Sequence, residues 1–210
     1  MEKHIYLVRH GQSNSNADGI MRGDASVLSE QGREEARVVA DRIKKIGVDA
    51  LVSSTLVRAL ETAEEISAST GLPVEKSDLF VERRKPSFEE GRLAKDPEVI
   101  SIWQQILQGY ADDPAYRHSD EENYADLFAR ATEALAFLEK HPASRIAVVS
   151  HGRFMRTLAG LALLDDSFTS RAFARIFHSF GMNNAGITYL RFTTSGGWQL
   201  MSWNDSAHLG

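Results

Sequence analysis

The sequence predicts a three-layer α/β/α sandwich around a largely parallel sheet, and three observations carry that expectation. Short apolar runs at residues 5–8, 50–52 and 146–149 read as strands buried on both faces. Each run ends in polar residues, and amphipathic helical patterns alternate with the runs along the chain, the rhythm of an open α/β sheet. The chain has 210 residues, 42% of them hydrophobic and 25% charged. That is enough for one domain, which at this size buries roughly 70% of its unfolded surface.

The elements follow in order. Ile5, Tyr6, Leu7 and Val8 form the first strand, which stops at Arg9, His10 and Gly11. Gly11 is expected to let the backbone bend and to leave room for a ligand. Ser29 can cap a helix with Ala36, Val39, Ala40 and Ile43 on its apolar face, ended by Gly47. Leu51 and Val52 form a second strand. It leads through the cap candidates Ser53, Ser54 and Thr55 into a helix over residues 60–66, with Arg58 in its first turn. Residues 79–119 interrupt the rhythm and read as an insertion over the sheet rim, where a lid or specificity element would lie. Within it, Asp96-Pro97 is a cap followed by proline at the first helical position, before Val99, Ile102, Trp103 and Ile106. Ser119-Asp120-Glu121-Glu122 has the form of a capping box. It precedes a helix carrying Tyr124, Leu127, Phe128, Ala131, Leu135 and Leu138, stopped at His141-Pro142. Ile146, Ala147, Val148 and Val149 form a third strand, followed by Ser150, His151, Gly152 and a helix through Leu164.

Three strand ends therefore carry Arg9 with His10, Arg58, and His151. If the strands are parallel neighbours, two guanidiniums, two imidazoles and nearby helix N-termini converge at one rim. Such a site suits an anion, most naturally a phosphoryl group. The net charge of −5, from 24 basic and 29 acidic residues, argues against a nucleic-acid binder and makes a local cluster of cations more telling. No apolar run approaches the ~20 residues of a membrane span. No secretory signal pattern precedes the first strand, which favours a cytoplasmic location. Cysteine is absent, so disulfides and thiolate chemistry are excluded. His4, His118, His141, His178 and His208 lack ligand-like spacing, and no carboxylate cluster suggests a catalytic metal.

Motifs across nearly the whole chain resemble the histidine phosphatase superfamily in its first branch, the phosphoglycerate mutase-like family. They are Arg9-His10-Gly11-Gln12-Ser13 with Asn16, Leu28-Ser29-Glu30-Gln31-Gly32, Ser53 through Ala59 with Thr62-Ala63, and Ser150-His151-Gly152. The closing segments Asn184-Ala185-Gly186-Ile187 and Trp203 through Leu209 complete the set. The resemblance implies a phosphoglycerate mutase-like fold and makes His10 the nucleophile, attacking phosphorus to form a phosphohistidine. Arg9, Asn16, Arg58, His151 and Gly152 would hold the phosphate, with His151 also catalytic. An acid is expected after Leu79. Glu82 is the choice, with Glu89 and Glu90 as rivals, because the stretch from Arg83 to Gly91 departs from the family pattern.

The expected function is a metal-independent phosphatase acting on a small phosphorylated metabolite without a cofactor. The partner is that substrate, not nucleic acid or membrane, and the oligomeric state stays open. One alternative is a mutase that returns the phosphoryl group to the substrate. Against it, Asn14-Ser15-Asn16 replaces the tryptophan that cofactor-dependent mutases carry after their first motif. The other alternative is a non-catalytic phospho-ligand binder, which would not need a nucleophile. Arg83, Arg84, Lys85 and Arg92 concentrate positive charge beside the presumed acid. They are either a solvated face or contacts to a second anion on the substrate.

Overall fold

The computed structural model describes residues 1–210. Alternation along the strands explains the layering. In β1 (Glu2–Arg9), Ile5 and Leu7 enter one core while Tyr6 and Val8 enter another, because successive side chains point to opposite faces. The same split recurs in β4 (Arg145–Ser150), with Ile146 and Val148 on one side and Ala147 and Val149 on the other. Both strands are central and need apolar residues on both faces.

The sheet has six strands in the order β3-β2-β4-β1-β5-β6, where β2 is Ala50–Ser53, β3 Val74–Lys76, β5 Ile187–Thr193 and β6 Gly197–Asp205. The first four run parallel. β5 and β6 are antiparallel additions, a mixed edge common in doubly wound sheets. This is the α/β architecture expected, with β2, β4 and β1 adjacent. In an open sheet the carboxyl ends of such parallel strands form the ligand crevice.

α2 (Glu30–Ile46) and α3 (Val57–Thr70) cover one face through Val39, Ala40, Ile43, Ala59, Ala63 and Ile66. The Ser29 hydroxyl accepts from the Gly32 N–H at 3.1 Å and caps α2, and Gly47 ends it in a left-handed conformation. The other face carries α4 (Pro97–Asp112), α5 (Tyr124–Lys140), α6 (Gly152–Leu164) and α7 (Ser170–Ser179), packed around Ile106, Leu127, Leu138, Phe154, Leu158 and Phe173. The short α1 (Asn14–Asp18) follows the first motif. No helix is long and apolar enough to cross a membrane.

Three local expectations are corrected. The segment Ser119-Asp120-Glu121-Glu122 does not cap α5. Asn123 does, in a capping box with Asp126, while the Glu121 carboxylate closes the preceding turn by accepting from the His118 and Ser119 N–H groups. α3 starts after Leu56 without a side-chain cap; Ser54 is engaged elsewhere. Gly11 does not make room for a ligand. A Cβ there would lie 2.3 Å from the Gly32 carbonyl oxygen, and one on Gly32 would lie 1.9 Å from that of Gln12. The two glycines let the first motif press against the start of α2.

Candidate active site

His10 sits just past β1, its backbone tied to β4 by its N–H to the Ser150 carbonyl at 3.0 Å. Its Nδ1 is 2.7 Å from the Gly11 carbonyl oxygen. A carbonyl only accepts, so Nδ1 carries the proton and Nε2 presents its lone pair. The Nε–H of Arg58 donates to that Nε2 at 3.3 Å. Burial, reinforced by His151 and the charges of Arg58 and Arg9, holds the His10 pKa well below its ordinary value. The ring is 4% exposed and neutral at pH 7. A buried, neutral imidazole whose unprotonated Nε2 faces the site, here held by the Arg58 Nε–H until a phosphoryl group takes that donor, is the form in which histidine is a nucleophile.

His151 caps β4 and precedes α6. Its ring lies 5.0 Å from that of His10, tilted by 55°. Its Nε2 is 2.7 Å from the Ser54 hydroxyl, and its Nδ1 is buried without a partner. Burial and the charges of Arg58, Arg9 and Arg130 keep it neutral as well. Ser54, read from the sequence as a helix cap, thus orients the second histidine.

Arg9, the last residue of β1, donates through Nη1 to the Met182 carbonyl and leaves its Nε buried and unpartnered. Burial lowers its pKa to about 10, so it stays cationic. Arg58, also lowered by burial, reaches the Gly23 carbonyl with Nη1. Gly152 opens α6 against Arg9: a Cβ there would stand 3.4 Å from the Arg9 Nε. Asn16 is exposed. Its Oδ1 accepts from Ser13 and, at 3.2 Å, from the Asn184 amide, so its own NH2 is the group left for a ligand. Asn184 also donates to the His10 carbonyl at 3.1 Å and joins the first motif to the start of β5.

The Glu82 carboxylate lies at the N-terminus of α6, accepting from the Arg153 and Phe154 N–H groups at 3.2 and 3.0 Å. Burial raises its pKa. The Arg153 charge, the Arg83 and Arg153 N–H groups and Arg58 outweigh that, and the net shift is downward. Glu82 is ionised at rest, and its charge in turn acts on Arg9 and Arg58. Its rivals stand apart. Glu89 is buried and acts on Lys85 and Arg153, whereas Glu90 is exposed beside Gly23.

The charge run divides. Arg84 is exposed and bonded to the Asp120 carbonyl, and Arg92 pairs with Asp96 and Glu98 on the surface. Arg83 turns inward, 1% exposed. Lys85 is pushed down to about 8 by burial and by Arg153, which places it among the site's charges. The sequence reading missed Ser54, Asn184 and Arg153. Arg153 left a signal, a cation directly after His151-Gly152 in an acidic chain. Ser54 and Asn184 stand in motifs of the family resemblance, but their roles left no local signal, because their partners lie about a hundred or more residues away.

The fold and this rim define an α/β protein whose strand ends assemble two neutral histidines, two arginines and a carboxylate. Its relatives give the class a family name. The family model of the histidine phosphatase superfamily (branch 1) matches residues 5–206, and the chain belongs to that family. A probable phosphoglycerate mutase GpmB of Enterobacter sp. is 29% identical over 217 residues, covering 98% of this chain and 94% of the relative. Among solved structures, a mycobacterial glucosyl-3-phosphoglycerate phosphatase complexed with VO3 is 26% identical, with a TM-score of 0.77 over 97% of this chain and 100% of that one. A phosphoserine phosphatase mutant from Entamoeba histolytica in complex with phosphoserine is 27% identical, with a TM-score of 0.77 over 99% and 100%.

Proposed function

We propose that the protein is a metal-independent phosphatase that hydrolyses a phosphomonoester of a small metabolite through a phosphohistidine on His10. The observation that carries this reading is the His10 ring: buried, neutral, with Nε2 facing Arg58. In the first step the Nε2 lone pair forms the P–N bond as the P–O bond to the leaving group breaks. Arg9, Arg58, the His151 ring, the Gly152 turn and the Asn16 amide surround the equatorial oxygens. The leaving oxygen takes a proton from Glu82. That carboxylate is ionised in the free protein, so the arriving phosphoryl dianion must first raise its pKa, as a close like charge does. In the second step Glu82, ionised again, removes a proton from water. The water oxygen bonds to phosphorus and the P–N bond breaks, restoring His10. A carboxylate held ionised at rest suits the base role of that hydrolytic step.

The phosphatases of known structure support hydrolysis over phosphoryl return, and the GpmB-type relatives make the mutase reading the competitor. Quenched incubation with a phosphomonoester panel, followed by alkaline trapping, should show an acid-labile, base-stable phosphoenzyme. His10→Ala should abolish it and lower turnover by several orders of magnitude in a folded protein. Turnover should persist after exhaustive chelation. A His10→Ala variant retaining more than a few per cent of activity would refute the nucleophile, and phosphate return to a second hydroxyl without net release would favour the mutase.

A further inference from the structure

The backbone that carries the nucleophile is held by a turn, and the turn is held by the closing tail of the chain. The His10 carbonyl accepts from two donors, the Asn184 side-chain amide at 3.1 Å and the Ala185 N–H at 3.3 Å. The neighbouring Arg9 N–H donates to the Gly186 carbonyl at 3.1 Å. Residues 184–186 therefore fix the peptides on either side of the His10 ring. On its other side the turn meets the tail. The Asn183 N–H donates to Asn204 Oδ1 at 2.8 Å, and the Asn183 amide to the Ser206 hydroxyl at 3.1 Å. The tail is tied in turn to α2, where Arg42 pairs with Asp205 at 3.6 Å, and Leu209 packs against the core under α2 and α3.

Ala185 is the strained point of this turn. It is fully buried, and its φ of 54° lies in the left-handed region, which a residue with a Cβ occupies only under constraint. The constraint on its carbonyl is a side chain: His208 Nε2 lies 3.0 Å from the oxygen. A carbonyl only accepts, so Nε2 carries the proton. The Nδ1 of His208 is buried and makes no bond, so the ring's one hydrogen bond is the one to Ala185. Burial holds the His208 pKa below its ordinary value, against the pull of that bond and of Asp205, and the ring is neutral at pH 7. An imidazole placed here therefore supplies one thing, a donor aimed at the carbonyl of the strained residue.

We infer that His208 is a positioning residue for the nucleophile: its Nε2–H keeps Ala185 in the left-handed conformation, and the Ala185 N–H and the Asn184 amide then place His10 for in-line attack. It touches neither the substrate nor the reacting atoms. The inference rests on the phosphatase reading for the step that His10 performs, whereas the relay from His208 to His10 stands on the hydrogen bonds themselves. Attack demands close placement, since a misplacement of ~1 Å costs about 10²-fold in rate. A turn released at Ala185 shifts His10 by a fraction of that, which sets the expected loss at about tenfold.

The relay is tested with para-nitrophenyl phosphate on His208→Leu, which removes the donor, His208→Asn, which is polar but too short, and His208→Gln, whose amide nitrogen has the reach of Nε2. A fourth protein combines His208→Leu with Ala185→Gly. Glycine takes the left-handed conformation without strain, so it removes the need for the donor. The pre-steady-state rate of phosphoenzyme formation should fall about tenfold in His208→Leu and His208→Asn, with little change in the Ki of inorganic phosphate. His208→Gln should recover most of that rate, and Ala185→Gly should raise the His208→Leu rate severalfold. A tail that merely packs would not answer to a glycine 23 residues away. In 15N-histidine-labelled protein without substrate, the His10 ring resonances should move in His208→Leu and return with Ala185→Gly. If His208→Leu does not fold, His208→Asn takes its place, alone and with Ala185→Gly. Wild-type rates in the donor-less variants, a loss that neither His208→Gln nor Ala185→Gly recovers, or His10 resonances that stay put would overturn the relay. No turnover in any of the proteins, with His10 resonances that move in His208→Leu and return with Ala185→Gly, would keep the relay and remove the phosphatase.

Discussion

Acidification should destabilise this protein through its two site histidines, and the size of the effect follows from their burial. Unfolded, each imidazole titrates near pH ~6.5. Folded, His10 and His151 are held well below that by burial and by neighbouring cations. The unfolded chain therefore binds more protons below pH ~6.5, so this contribution to stability is complete above that pH and is lost as pH falls. A histidine that stays neutral in the fold while its unfolded counterpart charges loses about 1.4 kcal/mol between pH ~7.5 and ~5.5, and the pair about 3 kcal/mol. With a urea m-value near ~3 kcal/mol/M, the midpoint moves by about 1 M. The assay is urea denaturation at pH values across that window, for wild type and for His10→Asn, which keeps a polar side chain of similar reach but cannot titrate. The variant should lose about half of the wild-type pH dependence. The same slope in His10→Asn and wild type would mean that His10 binds protons alike in the folded and unfolded chain, and a steeper slope in the variant that it is charged in the fold; either would refute the neutral, depressed imidazole.

Glu82→Gln should slow phosphorylation by alkyl phosphates far more than by para-nitrophenyl phosphate, whose leaving group barely needs a proton; equal losses in pre-steady-state bursts would point to another acid. Glu82→Ala should in addition cost about 1–3 kcal/mol in chemical denaturation, since it strips the acceptor from the Arg153 and Phe154 N–H groups; an unchanged midpoint would contradict that capping. Gly32→Ala places a Cβ 1.9 Å from the Gln12 carbonyl, so the start of α2 must separate from the first motif. Thermal melts should drop by several degrees, with a lower kcat as His10 shifts, and a variant with wild-type Tm and kcat would refute the close approach.

Much of this protein was legible in its residues because the signals are local. Apolar runs of strand length bounded by Arg9-His10-Gly11 and Ser150-His151-Gly152 identify buried parallel strands and what stands at their ends. The Ser29 and Gly47 caps bracket α2 to within a residue, because capping is chemistry between near neighbours in the chain. The family resemblance rests on the same contiguous motifs. What tertiary structure decided lies wherever the partner is distant. Ser54 looks like a helix cap until β2 and β4 pair and bring its hydroxyl to His151, 97 residues on. Gly11 looks like a ligand-facing glycine until α2 closes on it. The run Arg83-Arg84-Lys85 is uniform as a sequence. In the fold Arg83 is buried against α4, Arg84 faces solvent and Lys85 is half-buried near the site, because each meets a different part of the tertiary structure: Tyr110 of α4, the Asp120 carbonyl, and the charges of Arg153, Glu82 and Glu89. The ionisation of Glu82 is of the same kind. Burial and cations push it in opposite directions, and their balance is set by the α6 N–H groups and the Arg153 charge that the fold brings to it.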